Sequence, residues 1–334
     1  MSQDALLDIR NATVTFGSSR SKTGTVALEH LSLSIAASKP QIITVAGESG
    51  SGKTTLTRLV LGMIKPTQGE IFYKGKDIWK LSKPERRLYR HEVQAIFQDP
   101  FAVYNPFYPV DRLLFTPLRS FGIARNRAQA RQMVEAALER VGLRANEILG
   151  RFPHQLSGGQ RQRIVVARSL LLEPRLIVAD EPVSMIDASL RVTILENLKQ
   201  LRDELGISLL YITHDLATAH QISDQLIVLY RGRVVERGDA SAVIQSPQHP
   251  YTQLLVSSIP QPDPNNQWDE KISIPLEELG GADRKGCLFR HRCPFVMQEC
   301  NEQQPSYYQA ESGQSVACYL LRDKQSVTAK EKAS

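Results

Sequence analysis

Residues 47–55 read Gly-Glu-Ser-Gly-Ser-Gly-Lys-Thr-Thr, and this stretch decides the fold. It matches the phosphate-binding loop pattern G-x-x-x-x-G-K-[ST], in which backbone N–H groups at the start of a helix converge on an anion. The apolar, β-branched run 42–46 predicts a buried strand before the loop, and residues 56–61 predict a helix after it. In this pattern Lys53 reaches the β- and γ-phosphates of a nucleotide, and Thr54 holds Mg²⁺ through its hydroxyl. A chance glycine-rich turn would leave the flanking strand and helix unexplained.

The bulk composition is that of an ordinary globular protein. A length of 334 residues indicates one large domain with a smaller appendage, or two domains. No apolar run approaches the roughly eighteen residues of a membrane span, and the first residues do not begin a secretion signal. We therefore expect the chain to stay in the compartment where it is made. The net charge of +6 is mild and does not indicate a nucleic-acid partner.

The hydrophobic pattern around the loop predicts an α/β fold. Runs at 6–16, 26–35 and 70–73 predict strands of an antiparallel sheet beside the nucleotide core. Elsewhere strands alternate with helices, which indicates a mainly parallel sheet covered on both faces. These strands are predicted at 42–46, 93–97, 176–180, 207–213 and 226–230, with a hairpin partner at 233–238.

A helical insertion is predicted at about residues 100–174. Within it, residues 126–141 place their apolar side chains on one helical face, and residues 161–172 form a second helix. Further helices are predicted at 188–205 and 251–259.

An acidic pair closes one of the predicted strands. Asp180 can hold Mg²⁺ through water, with Thr54 as a second contact. Glu181 is then placed to polarise the water that attacks the γ-phosphate. A solvated acidic pair at a strand end is the ordinary alternative, and the presence of the phosphate loop makes it the weaker one.

A second glycine motif precedes the helix at 161–172. Residues 156–160 read Leu-Ser-Gly-Gly-Gln, and a serine with two glycines at a helix start forms an anion-binding N-terminus. An N-capped helix with no ligand is the common alternative. Its occurrence together with a separate phosphate loop in one chain is not common.

In their order, these motifs resemble those of the nucleotide-binding subunits of ATP-binding cassette (ABC) transporters. The match covers about residues 5–260, and it implies a P-loop NTPase core that hydrolyses ATP with Mg²⁺. The matching elements are the loop 47–55, Gln98, residues 156–160, the strand ending in Asp180-Glu181, residues 184–187 and His214.

The resemblance implies roles for residues that would otherwise be unremarkable. Gln98 would sense the γ-phosphate and Mg²⁺, and His214 would contact the γ-phosphate. Asp187 would signal across a dimer interface, although Met185-Ile186 before it departs from the sequence that is usual at these positions in the family. Phe16 would stack on adenine, or else belong to the core of the first strand.

The resemblance and the motifs together predict three sets of site residues. The catalytic set is Glu181, His214 and Gln98, and the Mg²⁺ ligands are Thr54, Gln98 and Asp180. The nucleotide-binding set is Phe16, Gly47, Glu48, Ser49, Gly50, Ser51, Gly52, Lys53, Thr54, Thr55, Ser157, Gly158, Gly159, Gln160 and Asp187.

The resemblance also implies partners. ATP would be sandwiched in a head-to-tail dimer between the Lys53 loop of one subunit and the Ser157 loop of the other. A second, related ATPase subunit would complete a heterodimer, with a homodimer left open. Two separate permease subunits and an extracytoplasmic solute-binding protein would complete the transporter. The chain would then lie peripherally on the cytoplasmic face of the inner membrane.

All four cysteines lie in the last fifty residues, in the pattern C-x5-C-x6-C-x17-C. Cys287, Cys293, Cys300 and Cys318 could ligate a [4Fe–4S] cluster, could bind zinc, or could be free thiols. A disulfide is disfavoured in a reducing cytoplasm. The pattern is similar to the C-terminal extension of the peptide and nickel branch of the family. We therefore divide the chain into a nucleotide-binding domain at 1–259 and a linker with this extension at 260–334.

The function that we expect is ATP hydrolysis coupled to the import of oligopeptides or similar solutes. One alternative is a soluble cassette ATPase that acts on ribosomes or DNA, but such proteins usually carry two cassettes or a long coiled coil. Another is an accessory ATPase in a non-transport assembly. A plain P-loop kinase offers no reason for residues 156–160.

Overall fold

The computed structural model describes residues 4–17, 24–99, 103–184, 188–259 and 284–322. Asp187, Met185, Ile186 and the predicted linker at 260–266 lie outside the described residues, so their predictions stay open. In chain order the strands are β1 (Ala5–Phe16), β2 (Thr25–Ala36), β3 (Ile42–Ala46), β4 (Gln68–Tyr73), β5 (Lys76–Asp77), β6 (Val93–Ile96), β7 (Leu176–Asp180), β8 (Ser208–Thr213), β9 (Gln225–Tyr230), β10 (Arg233–Asp239), β11 (Tyr308–Gln309) and β12 (Ser315–Val316).

The larger sheet has eight strands in the order β11-β12-β10-β9-β3-β8-β7-β6. The strands from β6 to β9 in this order pair in parallel, which confirms the predicted mainly parallel sheet. Strands β3 and β8 are buried at every position, as expected where helices or a second layer cover both faces. The smaller sheet is antiparallel, in the order β2-β1-β4-β5, and confirms the other half of the prediction.

The helices are α1 (Lys53–Val60), α2 (Lys83–Glu92), α3 (Asp111–Phe121), α4 (Arg127–Arg140), α5 (Ala145–Ile148), α6 (Gly158–Leu170), α7 (Ala188–Asp203), α8 (Leu216–Ile222), α9 (Ala240–Gln245), α10 (Pro250–Ser257) and α11 (Gln298–Glu302). Helices α3 to α6 form the predicted insertion. Helix α2 was not predicted, because its sequence is mostly charged and only Tyr89 is buried. A capping box formed by Ser82 and Glu85 starts it instead of an apolar stripe.

Helix α1 lies between the two sheets. Its Leu56 and Leu59 are fully buried in one core cluster with Leu28 of β2 and Val178 of β7. A second cluster joins the helices of the insertion to the far face of the larger sheet. The start of α1, and with it the phosphate loop, is therefore fixed by apolar packing on both sides.

The segment with the cysteines continues the larger sheet. Strand β12 pairs antiparallel with β10 at Val316 opposite Glu236, and β11 pairs with β12. Side-chain hydrogen bonds add to this pairing, since Arg233 donates to the carbonyl of Pro305 at 3.0 Å. In the described part of the chain, none of the helices is both long and apolar enough to cross a membrane.

Candidate functional site

One pocket lies where the parallel strands β3, β6, β7 and β8 end. Because the carboxyl ends of parallel strands share one edge of the sheet, the residues that follow these strands meet there. The pocket brings together Lys53, Thr54, Gln98, Asp180, Glu181 and His214. It is also lined by Gly24, Thr25, Val26, Ala27, Glu48, Ser49, Gly50, Gly52, Thr55, Arg231, Leu255 and Arg284.

The phosphate loop needs its glycines for two reasons. Gly52 has a φ of 108°, and a Cβ built there would lie 2.5 Å from the carbonyl oxygen of Ala27. A Cβ on Gly47 would lie 2.2 Å from the carbonyl oxygen of Leu229. Only a residue without a side chain can therefore bring the loop this close to β2 and β9.

Lys53 folds back over the loop that precedes it. Its Nζ donates to the carbonyl oxygens of Gly47 at 2.6 Å and Glu48 at 2.8 Å. Burial lowers the pKa of the Lys53 ammonium, and the nearby carboxylates of Glu181 and Asp180 oppose that shift. A cation held at a helix N-terminus beside open backbone N–H groups is suited to bind a phosphate chain.

Asp180 and Glu181 have different surroundings although they are neighbours. Asp180 Oδ2 accepts a hydrogen bond from the Thr57 hydroxyl at 3.1 Å, and burial raises the pKa of its carboxyl. Glu181 Oε1 lies 3.0 Å from His214 Nδ1. Glu181 also has a φ of 47°, a left-handed conformation that is uncommon for this residue type and recurs at functional positions. Oxygen ligands for Mg²⁺ and a candidate base thus stand side by side.

Phe16 is not a core residue, because 44% of it is exposed at the end of β1. It pairs with Thr25, which lines the pocket. The core alternative for Phe16 is therefore wrong.

Residues 157–160 form the N-terminus of α6 in the insertion. Ser157 Oγ accepts from the Gln160 N–H at 3.2 Å, and Gln160 Oε1 accepts from the Ser157 N–H at 2.9 Å, which forms a capping box. Within the described residues, none of the four lines the pocket around Lys53. The structure therefore does not bring the two predicted anion sites together within one chain.

Several residues at the site were not predicted. Thr57, Tyr251 and Arg292 contact Asp180 or the phosphate loop, and Arg231 and Arg284 line the pocket. The Arg-Cys-Pro run at 292–294 was visible in the sequence. Its contact with Glu48, 244 residues away, was not, since no local pattern encodes it.

The four cysteines line one small pocket together with aromatic side chains that include Phe289 and Tyr319. None of the four is in a disulfide. Burial raises the pKa of the Cys287 and Cys293 thiols, and raises that of Cys318 to about 12. In the described ranges, no three His, Cys, Asp or Glu side chains are arranged to hold one metal ion.

Two protein-family models match the chain. Residues 28–184 match the model described as ABC transporter. Residues 235–300 match the model described as oligopeptide/dipeptide transporter, C-terminal region. The second match begins within β10 and ends within the cysteine-bearing segment.

Curated relatives and solved structures give the same pattern. The chain is 42% identical over 267 residues to the oligopeptide transport ATP-binding protein OppF of Salmonella typhimurium, covering 79% of this chain and 80% of the relative. It is 40% identical to the dipeptide transport ATP-binding protein DppF of Haemophilus influenzae, covering 84% of this chain and 85% of the relative. A dimeric ATP-binding cassette, MJ0796, solved in a post-hydrolysis state with ADP and Pi, superposes with a TM-score of 0.62 at 27% identity, covering 70% and 98% of the two chains.

Proposed function

Because the chain belongs to the ATP-binding subunits of ABC transporters, we propose that it hydrolyses ATP to power an importer of oligopeptides or similar solutes. The observation that carries the peptide assignment is the match of residues 235–300 to the oligopeptide/dipeptide C-terminal region. The transporter relatives favour this function over the non-transport assembly considered above.

The pocket residues fit a hydrolytic role. Lys53 and the loop N–H groups would bind the phosphates, while Thr54, Gln98 and Asp180 would hold Mg²⁺. The metal would neutralise charge on the phosphate oxygens. Glu181 would accept a proton from the attacking water, and the 3.0 Å contact with His214 would orient the carboxylate for that task.

The remaining predicted residues complete the site from other positions. Ser157, Gly158, Gly159 and Gln160 would bind ATP held by the phosphate loop of a second subunit. Their position at the start of α6, outside the Lys53 pocket, supports binding to the nucleotide of the second subunit rather than to that of their own chain. Phe16 would stack on adenine, as its exposed ring allows, and Asp187 would act at the subunit interface. The second subunit would be a related ATPase or another copy of this chain.

A groove between the insertion and β6 is the surface that we assign to the permeases. It is lined by residues that include Arg90, Gln94, Tyr104, Tyr108 and Arg112. Phe107 beside it is 84% exposed, which is unusual for a large apolar side chain. Two permease subunits docked here would keep the chain on the cytoplasmic face of the inner membrane, and an extracytoplasmic solute-binding protein would deliver the substrate.

The four cysteines would hold a [4Fe–4S] cluster. The single pocket that all four line supports a shared ligand. The C-x5-C-x6-C-x17-C spacing is wider than the C-x2–4-C pairs that are usual in structural zinc sites. Zinc and free thiols are the other outcomes of a metal analysis.

The test of the transport function is isolation of the tagged chain from its native membranes. Co-purification of hydrophobic permeases, with ATP hydrolysis stimulated by the solute-binding protein loaded with peptide, is the expected result. Lys53→Ala is the matched control and should abolish hydrolysis without releasing the permeases. Recovery with ribosomes or a soluble multi-enzyme assembly, and no permease, would contradict the proposal.

A further inference from the structure

Glu48, the second residue of the phosphate loop, is held from three directions. Its carboxylate pairs with Arg292, its backbone N–H donates to the Tyr251 hydroxyl at 2.9 Å, and its carbonyl accepts from Lys53 Nζ at 2.8 Å. Two of these three partners come from the last third of the chain. Within the described residues, Glu48 is the loop residue whose side chain pairs with the cysteine-bearing segment.

The bond to Arg292 is a bidentate ion pair. Arg292 Nη1 lies 2.8 Å from Glu48 Oε2, and Nη2 lies 2.9 Å from Oε1. The Arg292 side chain is 19% exposed, and its guanidinium lies over the rings of Tyr230 and Phe289. Paired, planar geometry, with the guanidinium packed against two aromatic rings, makes this contact stronger and more directional than an exposed ion pair.

The bond to Tyr251 comes from the same packed group. Tyr251 is fully buried, and its ring centroid lies 4.5 Å from that of Tyr230 and 5.5 Å from that of Phe289. Arg292 and Tyr251 therefore both pack against the rings of Tyr230 and Phe289. A shift of Phe289 would move both of the groups that hold Glu48.

Glu48 in turn sets the position of Lys53. Lys53 Nζ donates to the carbonyl oxygens of Gly47 and Glu48. Gly47 and Gly50 have φ values of 157° and 79°, conformations that glycine enters at little cost. A loop with such freedom needs anchoring from outside if its lysine is to meet the phosphates in one geometry.

Arg292, which holds the Glu48 carboxylate, belongs to the segment between Cys287 and Cys293, here called the cysteine loop. Phe289 and Arg292 lie between Cys287 and Cys293, and Phe289 lines the same pocket as the four cysteines. The Arg290 N–H donates to the carbonyl of Cys287 at 3.1 Å, and the Cys287 N–H donates to that of Cys300 at 2.7 Å. The backbone that carries Arg292 is thus folded around the thiol pocket.

We propose that Arg292 is a positioning residue for nucleotide binding, which acts through Glu48 and makes the cysteine loop part of the support of the phosphate loop. The proposal rests on the function proposed above, since it requires nucleotide to bind at Lys53. It assigns to the C-terminal segment a direct role at the nucleotide site of its own chain.

The test is a double-mutant cycle on the full chain. We would measure the Kd of a fluorescent ATP analogue with Mg²⁺ for the wild type, Glu48→Gln, Arg292→Gln and the double variant. Each single variant should bind about three- to tenfold more weakly, and the double variant should bind no more weakly than either single one. Arg292→Lys, which keeps the charge and loses the bidentate geometry, should fall between.

Arg322→Gln is the matched control. Arg322 also forms an ion pair, with Glu299 at 2.7 Å, and both of these residues belong to the cysteine-bearing segment. This variant should bind as the wild type does. In steady-state hydrolysis, Arg292→Gln should raise KM for ATP more than it lowers kcat. The double variant Glu48→Arg with Arg292→Glu, which exchanges the two charges, should recover part of the affinity for the ATP analogue that the single variants lose.

The outcomes separate two failures. If Arg292→Gln binds as tightly as Arg322→Gln, or if the effects of the two single variants multiply, the positioning role is wrong and the ATPase function stands. If the wild type does not bind the analogue, or if Lys53→Ala binds equally well, the proposed function itself fails.

Discussion

The Nδ1 atom of His214 lies 3.0 Å from Oε1 of Glu181, so two residues that follow neighbouring strands meet over the phosphate loop. Glu181 is mostly shielded, with 14% of its side chain exposed, whereas that of His214 is 57% exposed. The carboxylate is thus placed at the floor of the pocket and the imidazole at its mouth. A water between Glu181 and a γ-phosphate would have one obvious acceptor for its proton.

Replacing Glu181 with Gln should stop hydrolysis and keep ATP binding. The amide retains the shape of the side chain but cannot accept the proton, and loss of a general base costs about 100- to 10,000-fold in rate. Turnover of ATP and the fraction of dimer in size-exclusion chromatography with ATP are the measurements. A dimer trapped by ATP is expected, and rapid turnover in this variant would refute the role of Glu181.

Gly52→Ala should destabilise the fold more than Gly50→Ala. Both glycines have positive φ, at 108° and 79°, but a Cβ on Gly50 meets nothing within 4 Å, whereas one on Gly52 lies 2.5 Å from a carbonyl oxygen. We expect a difference of about 1–3 kcal/mol in the free energy of unfolding, from the strain that the clash adds. Urea denaturation of the two variants provides the comparison. If both variants lost the same free energy of unfolding, β2 would have to shift to accommodate the added methyl group.

His249 should make the protein less stable in mild acid. Burial lowers its pKa from 6.5 to about 3, and its Nδ1 accepts from the Tyr251 N–H, so the folded state keeps it neutral. Below pH 6.5 the unfolded chain takes up a proton that the folded chain does not, and stability therefore falls as pH falls. At pH 5.5 the loss from this residue is about 1.4 kcal/mol relative to neutral pH.

The matched variant for this prediction is His249→Asn, because an asparagine oxygen can cap the same helix and does not titrate. Denaturation at pH 7.5 and 5.5 should show a smaller loss in the variant than in the wild type. An identical loss in both would assign the acid sensitivity to other groups.

Cys293→Ser should remove the metal that we propose for the C-terminal segment. Because Arg292 precedes Cys293, ATP binding by the isolated subunit should weaken by no more than it does in Arg292→Gln. Serine keeps the size of the side chain but is a poor ligand for iron or zinc. Iron, sulfide and zinc contents with a visible spectrum, on protein purified without oxygen, are the readouts. Full metal content in the variant would show that Cys293 is not a ligand. Metal-free wild-type protein would leave the free-thiol alternative.

Short-range patterns in the sequence predicted much of this architecture. The strand, loop and helix around Lys53 follow from apolar runs and glycines in one stretch, and the strand ending in Asp180 follows from the four apolar residues before it. These elements are buried on both sides, so their composition alone identifies them. Helix α2 was missed because a charged surface helix with a single buried residue leaves no such pattern.

Contacts between residues far apart in the chain could not be predicted from the sequence patterns. Arg292 and Glu48 belong to separate motifs, and long-range contacts such as the pairing of β12 with β10 and the packing of Phe289 on Tyr251 bring them together. The position of Phe16 was ambiguous for a related reason. Its strand alternates in and out of the core, and a single shift of register decides whether the ring is buried or, as found, 44% exposed.

Strands β12 and β11 also protect the fold from association with other chains. Strand β10 is an outer strand of the nucleotide-binding core, and Val316 and Ser315 of β12 occupy its backbone groups at Glu236 and Arg237. A chain cut after residue 259 would lose that cover, and β10 would offer free N–H and C=O groups to any extended segment that met it. The cysteine-bearing segment thus covers the backbone groups of β10 that would otherwise form the edge of the sheet.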